Sequence, residues 1–191
     1  MLYSRKHKDF NMTQKNKSKR NFSFGDKWNT RFMIQAQVIS TYSKDKSTKV
    51  GCVIASPRRE ILSMGYNVFP RGVNDEIPAR QERPTKYEFV VHAEENAILS
   101  GSRNGTRLEG GILYVTMPPC TRCAGSIIQS GIKEVIYLEP EIQKQIPGWR
   151  DTLDISFTMF DEAGIIYKSI PRDNVLSPDI LAYITQCHNI K

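Results

Sequence analysis

Two cysteines in the segment TMPPCTRCAG, residues 116–125, have the clearest potential for chemistry in this 191-residue chain. Cys120 and Cys123 are three residues apart, a spacing that places both sulfurs on one face of the first turn of a helix. Upstream, His92 begins the short motif His-Ala-Glu. Thiolate, imidazole and carboxylate groups bind zinc, and a catalytic zinc keeps three protein ligands and one open position. The sequence therefore predicts a catalytic zinc held by His92, Cys120 and Cys123.

Glu94, the last residue of the His-Ala-Glu motif, is the predicted acid/base of this site. Two thiolates and a neutral imidazole cancel the charge of the zinc ion, so the ion needs help to activate water. A carboxylate two residues from a ligand can accept a proton from that water and deliver it elsewhere. H-x-E followed by P-C-x-x-C is the signature of zinc nucleobase deaminases, in which the glutamate is not a ligand. Pro119 completes the match here.

A structural zinc site or a redox pair would also use two cysteines at this spacing. A structural site needs a fourth ligand, but the other histidines are His7 and His188, and the sequence has no second C-x-x-C. A redox pair does not require a histidine and a glutamate upstream. The joint pattern therefore favours the catalytic site.

An alternation of strand and helix patterns surrounds the two motifs. A helix is predicted from Asp26, because apolar residues recur there at spacings of three and four. Residues 50–55 and 61–66 form a predicted hairpin, residues 69–89 a long loop, and the remaining segments alternate between helix and strand. The predicted elements are helices at 92–105, 120–131, 149–164 and from Pro178 onward, with strands at 111–117, 133–138 and 165–170. This order predicts a three-layer α/β/α sandwich with a mixed sheet of about five strands.

The charge of the chain is concentrated at its N-terminus. The net charge is +7, but residues 1–20 contain seven Lys or Arg against one acid, Asp9, so residues 21–191 carry only +1. We predict a disordered, solubilising basic tail over residues 1–25 and one folded domain over residues 26–191, with nucleic-acid contact by the tail as an open alternative. The sequence lacks an apolar run long enough for a membrane span and lacks a disulfide pattern, so a cytoplasmic protein is expected.

The segments around the zinc motif resemble the cytidine-deaminase superfamily and, within it, the deoxycytidylate (dCMP) deaminases. The resemblance covers roughly residues 31–170. It includes the segments SRNG and PGW, which are similar to the corresponding segments of bacteriophage members. The segments that carry it are STKVG at 47–51, GYN and PRG within 65–72, KYEFVVHAEENAIL at 86–99 and LYVTMPPCTRCAGSIIQSGIKEVIYL at 113–138.

The resemblance implies hydrolysis of dCMP to dUMP and ammonia, which supplies dUMP for thymidylate synthesis. It implies that Glu94 passes protons to ring N3 and to the leaving amine. By the same resemblance, the Ala93 backbone reads the pyrimidine edge, a main-chain carbonyl near Met117 accepts from the departing nitrogen, and Asn67 holds the sugar. Candidate cations for the phosphate are Lys49, Arg71 and Arg103. The resemblance also implies a homo-oligomer, often a hexamer.

Two other functions are compatible with parts of the pattern. One is deamination of a base in tRNA or another nucleic acid, with the basic tail as the contact; the near-neutral domain and the long loop argue against it. The other is a non-catalytic zinc-binding regulatory module. Glu94 argues against that alternative, because a structural metal site has no use for an unligated acid beside the ion.

Overall fold

The computed structural model describes residues 26–140 and 149–175, together with residues 182, 183, 185 and 186. The predicted tail, residues 1–25, and the start of the predicted last helix lie outside the described residues. Among the residues that are described, no helix has both the length and the apolar character required to cross a bilayer. The elements are α1 Asp26–Ser40, β1 Gly51–Ala55, β2 Ile61–Tyr66, α2 Lys86–Phe89, α3 Ala93–Arg103, β3 Ile112–Val115, α4 Thr121–Gln129, β4 Glu134–Leu138, α5 Trp149–Ala163 and β5 Ile166–Ile170.

The five strands form one mixed sheet in the order β2-β1-β3-β4-β5. β1 is antiparallel to both β2 and β3, which confirms the predicted hairpin. β3, β4 and β5 are parallel, because α4 and α5 each return the chain to the same edge of the sheet before the next strand begins. The prediction of a mixed sheet of about five strands is confirmed.

Helices cover both faces of the sheet and make the predicted three layers. On one face α1 packs its apolar stripe, including the fully buried Met33 and Ala36, against β1, β3 and β4. On the other face, α3, α4 and α5 contribute Ala97, Ile127 and Phe160 to a second apolar cluster. The three central strands β1, β3 and β4 therefore have two buried faces, which explains why their sequences read as continuous apolar runs.

Gly65 in β2 allows the first turns of α3 to lie directly on the sheet. A Cβ atom at Gly65 would be 2.4 Å from the backbone nitrogen of Ala97 and 2.5 Å from the carbonyl oxygen of Ala93. The Ser63 hydroxyl also donates to the Ala97 carbonyl, at 2.7 Å. The start of α3 is therefore fixed against β2 by backbone contact.

The segment predicted as a long loop, residues 69–89, contains short helical pieces. A 3₁₀ turn spans Pro78–Arg80, and α2 spans Lys86–Phe89. The loop prediction was wrong for these residues, since pieces of three and four residues are too short to show a helical repeat of apolar positions. The remainder of the segment connects β2 to α3 without regular structure.

Candidate metal centre and active site

The three predicted zinc ligands lie at the start of two neighbouring helices. Val91 pairs with Val68 in an isolated β-bridge, and His92 then precedes the first residue of α3 with an extended backbone. Cys120 precedes α4 in the same way, after two prolines, and Cys123 lies in the first turn of α4. A helix start leaves backbone N–H groups without helical partners and presents the positive end of the helix dipole. Both features favour the thiolate form of a cysteine, the form that binds a metal.

The distances between the ligand atoms fit a tetrahedral zinc ion. Nδ1 of His92 is 3.5 Å from Sγ of Cys120 and 3.4 Å from Sγ of Cys123. All three ligand atoms lie within 4.8 Å of one another. With usual bond lengths and tetrahedral angles, a sulfur and a nitrogen on the same zinc are about 3.5 Å apart. The two measured separations agree with that value, so the donor set fits zinc with three protein ligands.

A hydrogen bond between the side chains of Cys120 and Cys123 separates their pKa values. A hydrogen bond from Cys123, helped by one from His92, lowers the pKa of Cys120 to about 3. The pKa of Cys123 rises far above its ordinary value because its proton is held by Cys120 and because the side chain is buried. Cys120 is thus a thiolate at neutral pH, the form in which a cysteine binds a metal.

Glu94 is buried beside the ligands, with 4% of the residue exposed. It occupies the second position of α3, and its carboxylate lies close to His92 and to the side chain of Cys123. Burial raises the pKa of Glu94 to about 7, although the nearby His92 acts in the opposite direction. A carboxyl group with such a pKa can both accept and donate a proton near neutral pH. The side chain therefore faces the metal site and is suited to proton transfer there.

Comparison with known protein families identifies the chain. The profile described as the cytidine and deoxycytidylate deaminase zinc-binding region matches residues 26–139, which include all three ligands and Glu94. The chain belongs to this deaminase family. It is 41% identical over 147 residues to an uncharacterized deaminase of Aliivibrio fischeri, covering 77% of this chain and 96% of the relative.

Two phage proteins extend the comparison. The chain is 33% identical over 179 residues to the deoxycytidylate deaminase of Enterobacteria phage T4, covering 73% of this chain and 88% of that protein. The crystal structure of the dCMP deaminase from cyanophage S-TIM5, in complex with dCMP and dUMP, has a TM-score of 0.63 and 24% identity. That likeness covers 78% of this chain and all of the cyanophage chain, and it shows the common fold. The predicted zinc-dependent deaminase of the dCMP deaminase type, with phage relatives, is confirmed.

Three predicted substrate contacts of this deaminase lie close in the fold to the metal ligands. Ala93 follows His92 directly and is fully buried at the first position of α3. Met117 is half-buried between β3 and the two prolines before Cys120. Asn67 follows β2. The next residue, Val68, forms a β-bridge with Val91, the residue before His92. The substrate roles of Ala93, Met117 and Asn67 stay predictions.

The three candidate phosphate cations lie in different places. Lys49 is half-buried between Thr48 and Val50, both of which are hydrogen-bonded to the Asn67 side chain. Arg71 is exposed in a turn after Pro70. Arg103 is exposed at the last position of α3, an 11-residue helix that is about 15 Å long. The structure therefore brings Lys49 near the site and leaves Arg103 at the opposite end of α3 from His92.

Sequence reasoning missed two charged pairs of this deaminase. Arg122, inside the C-x-x-C motif, donates to Glu95 at 2.8 Å and remains largely exposed. Asp45 and Lys86 form a buried ion pair at 2.7 Å, with side chains 8% and 7% exposed. The sequence signal for Asp45 is the segment Asp-Lys-Ser-Thr, since an aspartate side chain commonly accepts hydrogen bonds from the backbone N–H groups that follow it in a turn. The sequence carries no comparable signal for Lys86.

Proposed function

We propose that this zinc-dependent deaminase converts dCMP and water to dUMP and ammonia. The observation that carries the proposal is the buried Glu94 beside His92, Cys120 and Cys123, in an arrangement that fits a catalytic zinc. A phage relative named deoxycytidylate deaminase supports dCMP as the substrate. Deamination of a nucleic acid would use the basic tail, which lies outside the described residues, as its contact. A regulatory zinc module would have no use for the unligated acid Glu94.

His92, Cys120 and Cys123 would hold the zinc ion, which acts as a Lewis acid and makes water a stronger nucleophile near neutral pH. Glu94 accepts one proton from the attacking water and donates it to N3 of the cytosine ring, while the water oxygen bonds to C4. Glu94 then takes the second proton from that oxygen and gives it to the 4-amino group. The C4–N4 bond breaks, ammonia leaves, and the uracil carbonyl forms. Burial of Glu94 excludes bulk water from this proton transfer.

The neighbouring residues orient the nucleotide in this proposal. The Ala93 backbone reads the edge of the pyrimidine, since the N–H groups of the first helical turn have no partner within the helix. The main-chain carbonyl near Met117 accepts a hydrogen bond from the departing amine. Asn67 holds the deoxyribose, and Lys49, Arg71 or Arg103 contacts the phosphate. Among these cations Lys49 is favoured, because it lies in the loop bonded to Asn67.

Ammonia release from a panel of substrates tests the function. Purified protein with zinc is incubated with dCMP, cytidine, dCTP and a tRNA anticodon stem, and we expect turnover of dCMP at a rate at least tenfold above the others. The matched control is Glu94→Gln, which keeps the shape of the side chain but cannot transfer protons. Turnover of the tRNA stem alone would support a nucleic-acid deaminase and refute the proposal. Absence of turnover on every substrate would favour a regulatory zinc module.

The remaining parts of the proposal concern the whole chain. We assign residues 26–191 to the deaminase domain and residues 1–25 to a solubilising tail, and we expect removal of the tail to leave turnover unchanged. The family resemblance supports a homo-oligomer, which light scattering of the purified protein would detect. Among the described residues, Cys52, Cys120 and Cys123 form no disulfide, and we expect the protein to work in a reducing, cytoplasmic compartment.

A further inference from the structure

A buried carboxylate outside the metal centre collects an unusual number of hydrogen bonds. Oδ1 of Asp45 accepts from the backbone N–H of Ser47 at 2.8 Å, the Ser47 hydroxyl at 3.0 Å and the backbone N–H of Thr48 at 3.1 Å. Lys86 donates to Oδ1 at 2.9 Å and lies 2.7 Å from Oδ2. Oδ2 also accepts from the side-chain nitrogen of Asn67, at 3.2 Å. Asp45 therefore joins the loop between α1 and β1 to α2 and to the end of β2.

The Asn67 side chain is held in one orientation by this network. Its Nδ2 donates to Asp45 and to the Thr48 carbonyl, at 3.2 and 2.9 Å. Its Oδ1 accepts from the backbone N–H of Val50, at 2.7 Å. A flipped amide would place its NH₂ group against the Val50 N–H and its oxygen against the Asp45 carboxylate. Both of those contacts are unfavourable, so Asp45, together with the Thr48 carbonyl and the Val50 N–H, selects the observed orientation.

The same network is linked through the backbone to the metal ligand. The Ser43 hydroxyl donates to the carbonyl of Asn67 at 2.8 Å, and this hydroxyl accepts in turn from the backbone N–H of Asp45. The next residue, Val68, exchanges two backbone hydrogen bonds with Val91, at 3.1 and 2.8 Å. His92 follows Val91 directly. The position of Asn67 relative to the metal centre thus depends on the loop that Asp45 organises.

We propose that Asp45 and Lys86 are positioning residues that fix the orientation of the Asn67 amide beside the metal centre, a role that rests on the deaminase function proposed above. Lys86 neutralises the buried carboxylate and holds it in place together with the Ser47 hydroxyl, to which Lys86 donates at 2.7 Å. Asp45 then provides the acceptor that orients Nδ2 of Asn67. The pair does not touch the reacting atoms; it acts on the substrate through Asn67 and through the loop that contains Lys49.

Three variants separate positioning from a general effect on the fold. Asp45→Asn keeps the size of the side chain but replaces one of the two acceptor oxygens with a donor. When the amide oxygen of this variant accepts from the Ser47 and Thr48 N–H groups, the amide NH₂ group faces Lys86 and Asn67. Both of these are donors, so their acceptor is lost. Lys86→Met keeps the length of the side chain and removes the charge. The control is Lys44→Met, because Lys44 lies next to Asp45 in the same loop and joins it to the segment between β2 and α2, through Asp75 at 3.0 Å, but is 66% exposed.

The first measurement is amide hydrogen exchange at Val50, whose N–H is bonded to Oδ1 of Asn67. Exchange at this position reports the Asn67 orientation without reference to catalysis. We expect exchange about tenfold faster in Asp45→Asn and Lys86→Met, as for the loss of one hydrogen bond, and no change in Lys44→Met. If Asp45→Asn and Lys86→Met do not fold, Ser47→Ala takes their place. It removes the hydroxyl that donates to Asp45 and accepts from Lys86, and we expect it to make exchange at Val50 faster as well. An unchanged Val50 rate in every folded variant overturns the proposal.

The second measurement is steady-state turnover of dCMP by the zinc-loaded variants, well below their unfolding temperatures. We expect KM to rise about tenfold with kcat within threefold of the parent, because a contact made equally in the ground and transition states changes KM alone. Zinc content is expected to stay at the parent level. An unchanged KM together with faster Val50 exchange overturns the link to substrate. A parent protein without dCMP turnover refutes the proposed function, while the exchange data still decide whether Asp45 and Lys86 position Asn67.

Discussion

Gly65→Ala is expected to disturb the metal centre although residue 65 is neither a ligand nor part of the acid/base machinery. The added Cβ would lie 2.4 Å from the backbone nitrogen of Ala97 and 2.5 Å from the carbonyl oxygen of Ala93. Backbone atoms cannot move aside as a flexible side chain can. The first turns of α3 must therefore move away from β2, and His92 and Glu94 are attached to that part of the helix.

The displacement can be estimated from the contact distances. Cβ atoms in proteins essentially never approach other heavy atoms within 3.0 Å, so α3 and β2 must separate by at least 0.6 Å at Ala97. Metal–ligand distances tolerate changes of only about 0.2 Å. Overpacking of this kind costs about 1–3 kcal/mol of unfolding free energy, which lowers Tm by about 2–12 °C for a chain of this size. Misplaced support for a ligand costs about 10–100-fold in metal affinity.

The assay is a zinc competition titration with a chromogenic chelator, run beside a thermal unfolding curve. Gly125→Ala is the control, since Gly125 lies on α4 two residues after the ligand Cys123. A Cβ there would have its nearest neighbour, Cε of Met159, at 3.8 Å, an ordinary contact. Alanine also favours a helix interior over glycine by about 1 kcal/mol. We expect Gly125→Ala to keep its zinc affinity and to match or exceed the parent Tm.

Equal zinc affinity and equal Tm in Gly65→Ala and the parent would refute this reasoning. Such a result would mean that α3 can leave β2 without moving His92, and hence that the close backbone approach does not position the ligand. A lower Tm with unchanged zinc affinity would confirm the packing cost but separate it from the site. Only the combined loss supports the argument that the backbone contact at Gly65 sets the position of His92.

Two further predictions concern charged groups. Glu94→Gln is expected to retain stoichiometric zinc and to lose at least about 10²–10⁴-fold in kcat on dCMP, because a positioned acid/base contributes that much; near-normal turnover would remove Glu94 from its role. Burial opposes ionisation of Asp45, but its bonds from Lys86, Ser47 and Thr48 hold its pKa below the usual range. Ionised Asp45 therefore stabilises the folded state fully at pH values above its unfolded-state pKa of about 4. That contribution is lost as the pH falls from there through the lower pKa that Asp45 has in the folded state. Urea unfolding between pH 7 and 2 should show a shallower acid loss in Asp45→Asn than in the parent; equal slopes would contradict this account.

The metal centre could be predicted from the sequence because its chemical groups belong to two short sequence motifs. His92 and Glu94 are two residues apart, and Cys120 and Cys123 are three residues apart, so each pair is oriented by the start of a single helix. The remaining step, bringing the two helix starts together, follows from the order of strands and helices. The hairpin pattern and the alternation that follows it also predicted the five strands, since each strand lies in a short segment rich in apolar residues.

The Asp45–Lys86 pair could not be predicted in this way, because its members are 41 residues apart and belong to segments without periodic pattern. Both residues are charged, and charged residues in polar segments are expected at the surface. Burial of the two is stable only because each compensates the other and because hydroxyl, amide and backbone groups occupy the remaining sites on Asp45. That compensation is a property of the three-dimensional arrangement, so it becomes visible only when the loop before β1 is seen folded onto α2. The residues that hold a site in place are therefore harder to find than those that perform its chemistry, since the former are selected by distance in space and the latter by type and spacing along the chain.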